Sequence, residues 1–152
     1  RMTAAFPAPG SHEEIEEGLV LTPRFDGDGL MAAIAVDDET SEVVMVAWMN
    51  AEALARTIAT GEGWYWSRSR KELWHKGATS GHVQTVTDLR IDCDQDAVVL
   101  RVRTAGTGAN CHTGRKSCFY RRIPLGQAEG APALLEPTGD MPLFDPKAVY
   151  GG

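Results

Sequence analysis

The stretch LMAAIAVDDETSEVVMVAWM, residues 30–49, decides the fold. Its first part, Leu30 to Val36, has the length and apolar composition of a buried strand, and Asp37–Ser41 is polar enough to form a turn. A second apolar run follows from Val43 to Met49. A connection this short permits an antiparallel hairpin but not a parallel crossover. The sequence therefore predicts a β-hairpin over residues 30–49.

Helices are predicted on both sides of this hairpin. Ser11 and Glu14 have the spacing of a capping box, and Gly18 ends the short helix that they begin. Asn50 caps a second helix, which ends at Gly61. The apolar residues of this second helix recur with the i, i+3, i+4, i+7 spacing of one helical face: Ala51, Leu54, Ala55 and Ile58.

The remaining chain adds more strands than helices. Further strands are predicted at residues 64–69 (WYWSRS), from Val83 to Ile91 and from Val98 to Val102, and Cys118 to Ile123 is another candidate. Because strands dominate and connections are short, the predicted class is α+β, a single compact domain with a mostly antiparallel sheet and few short helices. We expect residues 1–10 to be flexible, 11–123 to form the domain, and 124–152, rich in Pro, Gly and Ala, to form an irregular tail.

Length and composition exclude several classes of protein. At 152 residues the chain has enough length for one domain with its own core. The net charge of −6 argues against general nucleic-acid binding, which needs a basic surface. No apolar run approaches the roughly 18 residues that span a membrane, and the N-terminus lacks the pattern of a secretory signal. We therefore expect no membrane partner and a cytoplasmic location, where the three cysteines are thiols.

Three carboxylates at alternate positions form the densest polar cluster. On a strand Asp92, Asp94 and Asp96 would share one face, with Cys93 on the other. Hard oxygen ligands favour Mg²⁺, whereas the soft thiolate favours Zn²⁺. An EF-hand loop is excluded because Ala97 occupies the position that requires glycine. The alternative interpretation is an acidic turn at the end of a strand.

The three cysteines predict a zinc site. Cys93, Cys111 and Cys118 would supply three thiolates and leave the fourth tetrahedral position open, as in catalytic zinc sites. The alternative is that all three are small buried hydrophobic residues. A zinc held by three thiolates acidifies water weakly, so a base is needed, and His112 beside Cys111 is the first candidate. His112 could instead be a fourth ligand or orient a ligand, and His82 could be the base.

A basic, hydroxyl-rich stretch precedes these motifs and predicts phosphate binding. Its side chains and the flexible glycine-rich backbone near residues 76–82 could surround phosphate oxygens, although the sequence lacks a P-loop. The alternative is a solvated strand face. The predicted phosphate-binding residues are Ser67, Arg68, Ser69, Arg70, Lys76, Thr79 and Ser80.

Taken together, these stretches resemble the phosphoribosyl-AMP cyclohydrolase family. The matching segments are AWMNAEAL (47–54), YWSRSRKELWHKGATSGH (65–82), DCDQDAVVL (92–100) and CHTGRKSCF (111–119). The resemblance extends from about Gly29 to Ile123. Two departures stand out, since members often carry Glu where this chain has Ala78, and the 104–110 segment is longer and lacks a common Gln.

The resemblance implies a homodimer with active sites at its interface. It implies a zinc held by the three cysteines, one of them from the other subunit, and Mg²⁺ on the three aspartates. The implied activity is a zinc- and magnesium-dependent hydrolysis that opens the adenine ring of phosphoribosyl-AMP at the N1–C6 bond, in histidine biosynthesis. The competing hypothesis is a non-catalytic zinc-binding interaction module. A nucleoside deaminase is a weaker rival because its H-x-E…P-C-x-x-C motif is missing.

Overall fold

The fold is built on one curled sheet with three short helices. The computed structural model describes residues 6–150, so the first half of the predicted flexible segment, residues 1–5, lies outside the described residues. The helices are α1 (His12–Glu17), α2 (Ala51–Thr60) and α3 (Pro146–Tyr150). The strands are β1 (Met31–Asp37), β2 (Val43–Met49), β3 (Trp64–Ser67), β4 (Glu72–His75), β5 (Gln84–Ile91), β6 (Ala97–Thr104), β7 (Arg121–Arg122) and β8 (Glu136–Pro137).

The predicted hairpin and both predicted helix caps are confirmed. Strands β1 and β2 pair antiparallel, with Met31 opposite Met49. The Ser11 hydroxyl accepts from the backbone N–H of Glu14, whose carboxylate accepts from Ser11 in turn. The Asn50 side chain accepts from the N–H of Ala53 at the start of α2, and a left-handed Gly61 ends that helix. The caps join residues only a few positions apart and the hairpin joins strands that adjoin in the sequence, which is why the sequence alone could predict them.

The six-stranded sheet has the order β4-β3-β2-β1-β6-β5. All its neighbours are antiparallel except β1 and β6, which run parallel with Ala32 opposite Ala97. The predicted class, α+β with a mostly antiparallel sheet, is therefore confirmed. The parallel pair places the turn between β5 and β6 at the same end of the sheet as Met31 and Met49.

Two strand predictions need correction. The stretch predicted at residues 64–69 ends at Ser67, because the chain turns through a left-handed Lys71 into β4, which the sequence analysis missed. The candidate strand from Cys118 to Ile123 is wrong apart from β7, a two-residue strand that pairs with β8. Cys118, the first residue of the candidate strand, lies in a loop instead, and its backbone N–H donates to the carbonyl of Val44.

One face of the sheet carries the core, and the other is open. The buried face holds Met31, Ala33, Ala35, Met45, Ala47, Met49, Val98, Leu100 and Val102, together with Leu54 of α2 and Tyr65 of β3. The alternate side chains of the central strands point the other way. In one row Ile34 lies between Val46 and Val99, which are 49% and 37% exposed. The central strands therefore present an apolar stripe that the described residues leave uncovered.

No helix in the described part of the chain combines the length and apolar character that a membrane crossing requires.

Candidate functional site

A cavity of about 720 Å³ brings together residues that the sequence analysis had singled out separately. Its lining includes Arg70, Lys76, Thr79, Ser80, His112 and Cys118. Val46 of the open sheet face also contributes to the wall, as do the aromatic side chains of Trp74 and Tyr150. The cavity thus combines cations, hydroxyls, a thiol and an imidazole with an apolar wall, and it borders the uncovered side of the sheet.

The loop after β4 delivers the predicted phosphate-binding residues to this cavity. The N–H of Gly81 donates to the carbonyl of Gly77, which closes a tight turn around Thr79 and Ser80. Gly77 has a φ of 91°, and a Cβ there would lie 2.2 Å from the backbone nitrogen of Val83. Only glycine fits such a position, because both the backbone angle and the space exclude a side chain. Ala78, the departure from the family pattern, also lines the cavity.

The predicted phosphate-binding set is divided between two neighbouring recesses. Ser67, Arg68 and Ser69 do not line the main cavity but a groove of about 500 Å³ beside it. There the guanidinium of Arg68 lies 4.9 Å from the ring centroid of Trp48. Arg70 and Trp74 line both recesses and connect them. Of the seven predicted residues, the cavity itself therefore holds Arg70, Lys76, Thr79 and Ser80.

A short loop sets two of the predicted cysteines side by side. The carbonyl of Arg115 accepts from the N–H of Cys111, and the N–H of Cys118 donates to Val44 at the start of β2. The Thr113 hydroxyl donates to the Cys111 sulfur over 3.1 Å. The thiol of Cys118 is close enough to that of Cys111 for the two to interact. The structure thus provides two adjacent soft sulfur donors, of which Cys118 lines the cavity and Cys111 is buried beside it.

The charges around this pair are strongly perturbed. Burial of the thiol, and then the neighbouring Cys111, raise the pKa of Cys118 to about 12, although the residue as a whole is exposed. Burial also lowers the pKa of Lys76, and the two sulfurs act in the opposite direction because their thiolates would stabilise its charge. Without a cation, two adjacent thiolates repel each other. A metal ion at this position would relieve that repulsion, so the donor chemistry fits zinc.

The two candidate histidines occupy different environments. His112 is exposed and lines the cavity, as expected for a residue beside Cys111. His82 is buried, and its Nε2 lies 2.8 Å from the Thr107 hydroxyl, within the altered 104–110 segment. Burial and the nearby Lys76 lower the pKa of His82. A Cβ at Gly106 would lie 2.8 Å from the His82 ring, so this segment fits closely around it.

The aspartates lie in a turn, which corrects the expectation of a strand face. Asp92, Asp94 and Asp96 belong to the connection between β5 and β6, where Asp92 Oδ1 accepts from the N–H groups of Asp96 and Ala97. Their ligand atoms nevertheless lie within 4.8 Å of one another. Cys93 does not point away, because its sulfur lies 3.8 Å from Asp94 Oδ1.

The electrostatics of this turn favour a bound cation. The pKa of Asp96 is raised, first by its hydrogen bond with Asp92, then by burial and by the negative charges of Asp92 and Asp94. Carboxylates that repel each other in this way are stabilised by a divalent ion with oxygen ligands. The three side chains therefore fit the hard donor set of Mg²⁺.

Gln95 holds this turn in place. It is buried between the acids with a left-handed φ of 57°. Its amide accepts from the N–H of Thr22 over 2.8 Å and donates to the carbonyl of Ile15 over 2.9 Å. Its own carbonyl accepts from the N–H of Arg24 over 2.7 Å. Helix α1 and the segment that follows it are therefore held against the acidic turn by one residue, a contact that no local pattern indicates.

Gln95→Ala is expected to lower the free energy of unfolding by about 1–3 kcal/mol, because it leaves the partly buried Thr22 N–H and Ile15 carbonyl without their partner. Urea unfolding of the intact protein would measure the change. Gln127→Ala is the matched control, since the Gln127 amide also bonds backbone groups but within its own exposed loop. The control should change stability by less than about 0.5 kcal/mol. Equal stabilities of Gln95→Ala and the unmodified protein would contradict this role.

One chain does not assemble all three cysteines. The backbone of Cys118 is hydrogen-bonded to Val44 of β2. Cys93 precedes β6, whose first residue pairs with Ala32 of β1, and Ala32 pairs in turn with Trp48 of β2. Val44 and Trp48 are four strand residues apart, which corresponds to about 13 Å. Among residues 6–150 the only cluster of three candidate metal ligands is the aspartate group. This separation depends on the path of the sheet, which no local sequence pattern indicates.

A buried polar network behind the cysteine loop was also missed. The Tyr65 hydroxyl donates to Gln84 Oε1 over 2.6 Å, and the Gln84 amide donates to Asn110 Oδ1 over 2.8 Å. Asn110 in turn donates to the carbonyl of Lys116, inside the loop that carries the cysteines. Since Asn110 also lines the cavity, this network connects the core to the site. Gln84 begins a strand, QTVTDLRI, that carries several polar residues, so nothing in the sequence marks it as buried.

Comparisons with known proteins agree on one family. The family model described as phosphoribosyl-AMP cyclohydrolase matches residues 45–120. A curated protein of that name from Rhodopseudomonas palustris (strain ATCC BAA-98 / CGA009) is 58% identical over 144 residues, covering 95% of this chain and 93% of the relative. The protein of the same name from Bradyrhizobium diazoefficiens is 57% identical over 140 residues, covering 92% of this chain and 96% of the relative. That from Nitrobacter hamburgensis is 53% identical over 144 residues, with 95% of both chains covered.

Proposed function

The chain belongs to the phosphoribosyl-AMP cyclohydrolase family, and from that premise we propose that it opens the adenine ring of phosphoribosyl-AMP by hydrolysing the N1–C6 bond. The family makes it a hydrolase of histidine biosynthesis. The observation that carries the proposal is the cavity in which His112 and Cys118 share one lining with Lys76, Thr79 and Ser80. A reactive group beside a phosphate-binding loop is what a nucleotide hydrolase requires.

We assign some residues of the cavity to binding of the substrate phosphates and another to proton transfer. Lys76 and Arg70 place positive charge, and Thr79 and Ser80 place hydroxyl donors, where a substrate phosphate would lie. The second phosphate of the substrate would lie in the adjoining groove, which Arg68 lines. His112 is open to the cavity and free to accept the proton of the attacking water. Proximity of these groups converts an encounter with water into an oriented attack.

Zinc is the metal that the cysteines would hold. When bound, it would supply a Lewis acid that polarises the reacting centre and lowers the pKa of water. Cys111 and Cys118 contribute two sulfur donors, and Thr113 stabilises the first through its hydroxyl. We expect Cys93 of a second copy to supply the third donor. A non-catalytic zinc module would need a fourth protein ligand, whereas the two adjacent thiols, Cys111 and Cys118, and a third from a second copy would leave one position open.

The uncovered sheet face supports a homodimer with shared sites. Its apolar stripe includes Val46, which also lines the cavity, so a second copy on this face would cover the cavity rim. An isologous arrangement places each subunit's contacts on the other by symmetry. Because Cys93 and the Cys111–Cys118 pair lie toward opposite ends of one sheet, two copies related in this way can bring the missing thiol to each site.

The aspartate turn is proposed to hold Mg²⁺ that neutralises substrate phosphate. Asp94→Asn is expected to weaken Mg²⁺ binding by about tenfold or more while zinc content stays unchanged, because it removes one of three negative oxygen donors. Titration calorimetry with Mg²⁺ measures binding directly, and the Mg²⁺ dependence of turnover provides a second measurement.

Asp88→Asn is the control for this prediction, since Asp88 lies on β5 and pairs with Arg90 outside the acidic cluster. It should bind Mg²⁺ as the unmodified protein does. If Asp92, Asp94 and Asp96 can each be changed to Asn without altering Mg²⁺ binding, the acids serve only to form the turn.

The proposed function is tested by incubating the purified protein with phosphoribosyl-AMP, Mg²⁺ and zinc. We expect the substrate to gain one water and to form the ring-opened carboxamide, which mass spectrometry and the loss of purine absorbance would detect. A strong zinc chelator should abolish the reaction, and added zinc should restore it. Recovery of unchanged substrate, or release of ammonia as in deamination, would contradict the proposal.

A further inference from the structure

The segment from Asp140 to Tyr150 returns to the loop that carries the cysteines. The N–H of Leu143 donates to the carbonyl of Gly114 over 2.7 Å, and the Arg115 side chain donates to the carbonyl of Asp140 over 3.0 Å. This segment lies outside residues 45–120, the stretch that the family model matches. Two hydrogen bonds to neighbouring loop residues fasten it directly behind the site.

The cysteine loop is shaped to receive this segment. Gly114 has a φ of 86°, and a Cβ there would lie 2.6 Å from the carbonyl oxygen of Phe144 and 3.2 Å from Pro142. The backbone of the segment therefore occupies the space that a side chain would fill. On the other side the Phe144 ring stacks on His82, with ring centroids 5.0 Å apart and planes inclined by 23°. The fit is close at two independent points.

With these contacts in place, Tyr150 lies at the wall of the cavity. It stands at the end of α3 and lines the cavity together with Trp74, Lys76 and His112. Its ring contacts Phe144 at a centroid distance of 6.2 Å. The side chain remains 45% exposed, so part of the ring stays available to a ligand. Among the described residues, the cavity has aromatic walls from Trp74, His75, His112 and Tyr150 only.

We propose that Tyr150 packs against the purine ring of the bound nucleotide, which makes the segment Asp140–Tyr150 part of the active site. The inference rests on the proposed function, because it takes an adenine nucleotide as the ligand. A tyrosine ring offers a broad apolar face with little rotational freedom, and nucleobases stack on such faces. The rest of the segment acts as the anchor that holds this ring at the cavity.

The experiment compares Tyr150→Ala with Tyr150→Phe and with Val149→Ala, a neighbour on α3 that does not line the cavity. Binding of AMP, the nucleotide part of the substrate, is titrated through tryptophan fluorescence, since Trp74 lines the same cavity. Loss of a stacking ring should weaken AMP binding by about tenfold in Tyr150→Ala, and Tyr150→Phe should retain it. Val149→Ala should match the unmodified protein.

Turnover provides the second measurement. In Tyr150→Ala the KM for phosphoribosyl-AMP should rise by a similar factor while kcat stays within about twofold, because the ring binds substrate without taking part in proton transfer. An unchanged Kd and KM in Tyr150→Ala would overturn the inference and leave the proposed function standing. A protein that binds AMP but does not turn over phosphoribosyl-AMP would contradict the proposed function, and the Kd series would still decide the role of Tyr150.

Discussion

Co-expression of two inactive variants, Cys93→Ser and Cys111→Ser, is expected to restore about a quarter of the wild-type activity and zinc content. Each variant alone should lose both, since a site with three thiolate ligands has no spare donor. The expectation follows from the position of Cys93, which lies toward the opposite end of the sheet from Cys118 within one chain.

The predicted fraction comes from the symmetry of the proposed dimer. Random pairing makes about half of the dimers mixed. In a mixed dimer one site combines an intact Cys111–Cys118 pair with an intact Cys93, whereas the other site carries both lesions. One active site in every four therefore survives.

The matched control is co-expression of Cys111→Ser with Cys118→Ser. Both substitutions affect the Cys111–Cys118 pair, which one subunit supplies to a site. Every site in every dimer therefore lacks at least one thiolate ligand, and no activity should return. Zinc per chain, measured by elemental analysis, and kcat, measured with phosphoribosyl-AMP, report the outcome for each mixture. If the mixture of Cys93→Ser and Cys111→Ser recovers no more activity and zinc than the control mixture, Cys93 does not act across subunits. A zinc-replete Cys93→Ser protein would show that Cys93 is not a ligand.

The second large effect is expected at His112. His112→Ala should retain zinc and fold but lose on the order of 10²–10⁴ in kcat, the usual contribution of a positioned acid–base group. The reason is geometric, because His112 is open to the cavity and immediately follows Cys111. Some group must accept the proton of the attacking water, and a thiolate-rich zinc acidifies that water only weakly.

Three histidine variants separate the possible roles. His12→Ala, in α1 and outside the cavity, should have no effect on kcat. His82→Ala would carry the larger loss if His82 were the base, although it is buried against Thr107 and Phe144. Loss of zinc together with activity in His112→Ala would make His112 a ligand or an orienting group. A zinc-replete His112→Ala protein with near-normal kcat would exclude it as the base.

The site was predictable in its parts but not in its arrangement. The motifs around residues 65–82 and 111–119 indicated phosphate-binding and thiol chemistry, and the structure places Lys76, Thr79, Ser80 and Cys118 at one cavity. The aspartates were also correctly grouped, although for the wrong reason, since they converge in a turn rather than along a strand face. Side-chain alternation applies only where the backbone stays extended, and Gln95 with its positive φ interrupts it.

By itself the sequence determined those elements whose stabilising contacts are local. The helix caps at Ser11, Asn50 and Gly61 depend on hydrogen bonds between residues a few positions apart, and the hairpin over residues 30–49 pairs two strands that adjoin in the sequence. Their energies are therefore encoded in short stretches of sequence, where propensity and spacing are sufficient to predict them.

Only the tertiary structure decided how distant segments meet. The parallel pairing of β1 with β6 places Cys93 away from Cys118, and Gln95 joins the acidic turn to residues 15–24. The return of Phe144 to His82 places Tyr150 at the cavity. Each of these contacts requires closing a long loop, and its free energy depends on the packing of the whole chain rather than on any short pattern. For that reason the sequence could identify the reacting groups, whereas the fold decided which of them one subunit brings together.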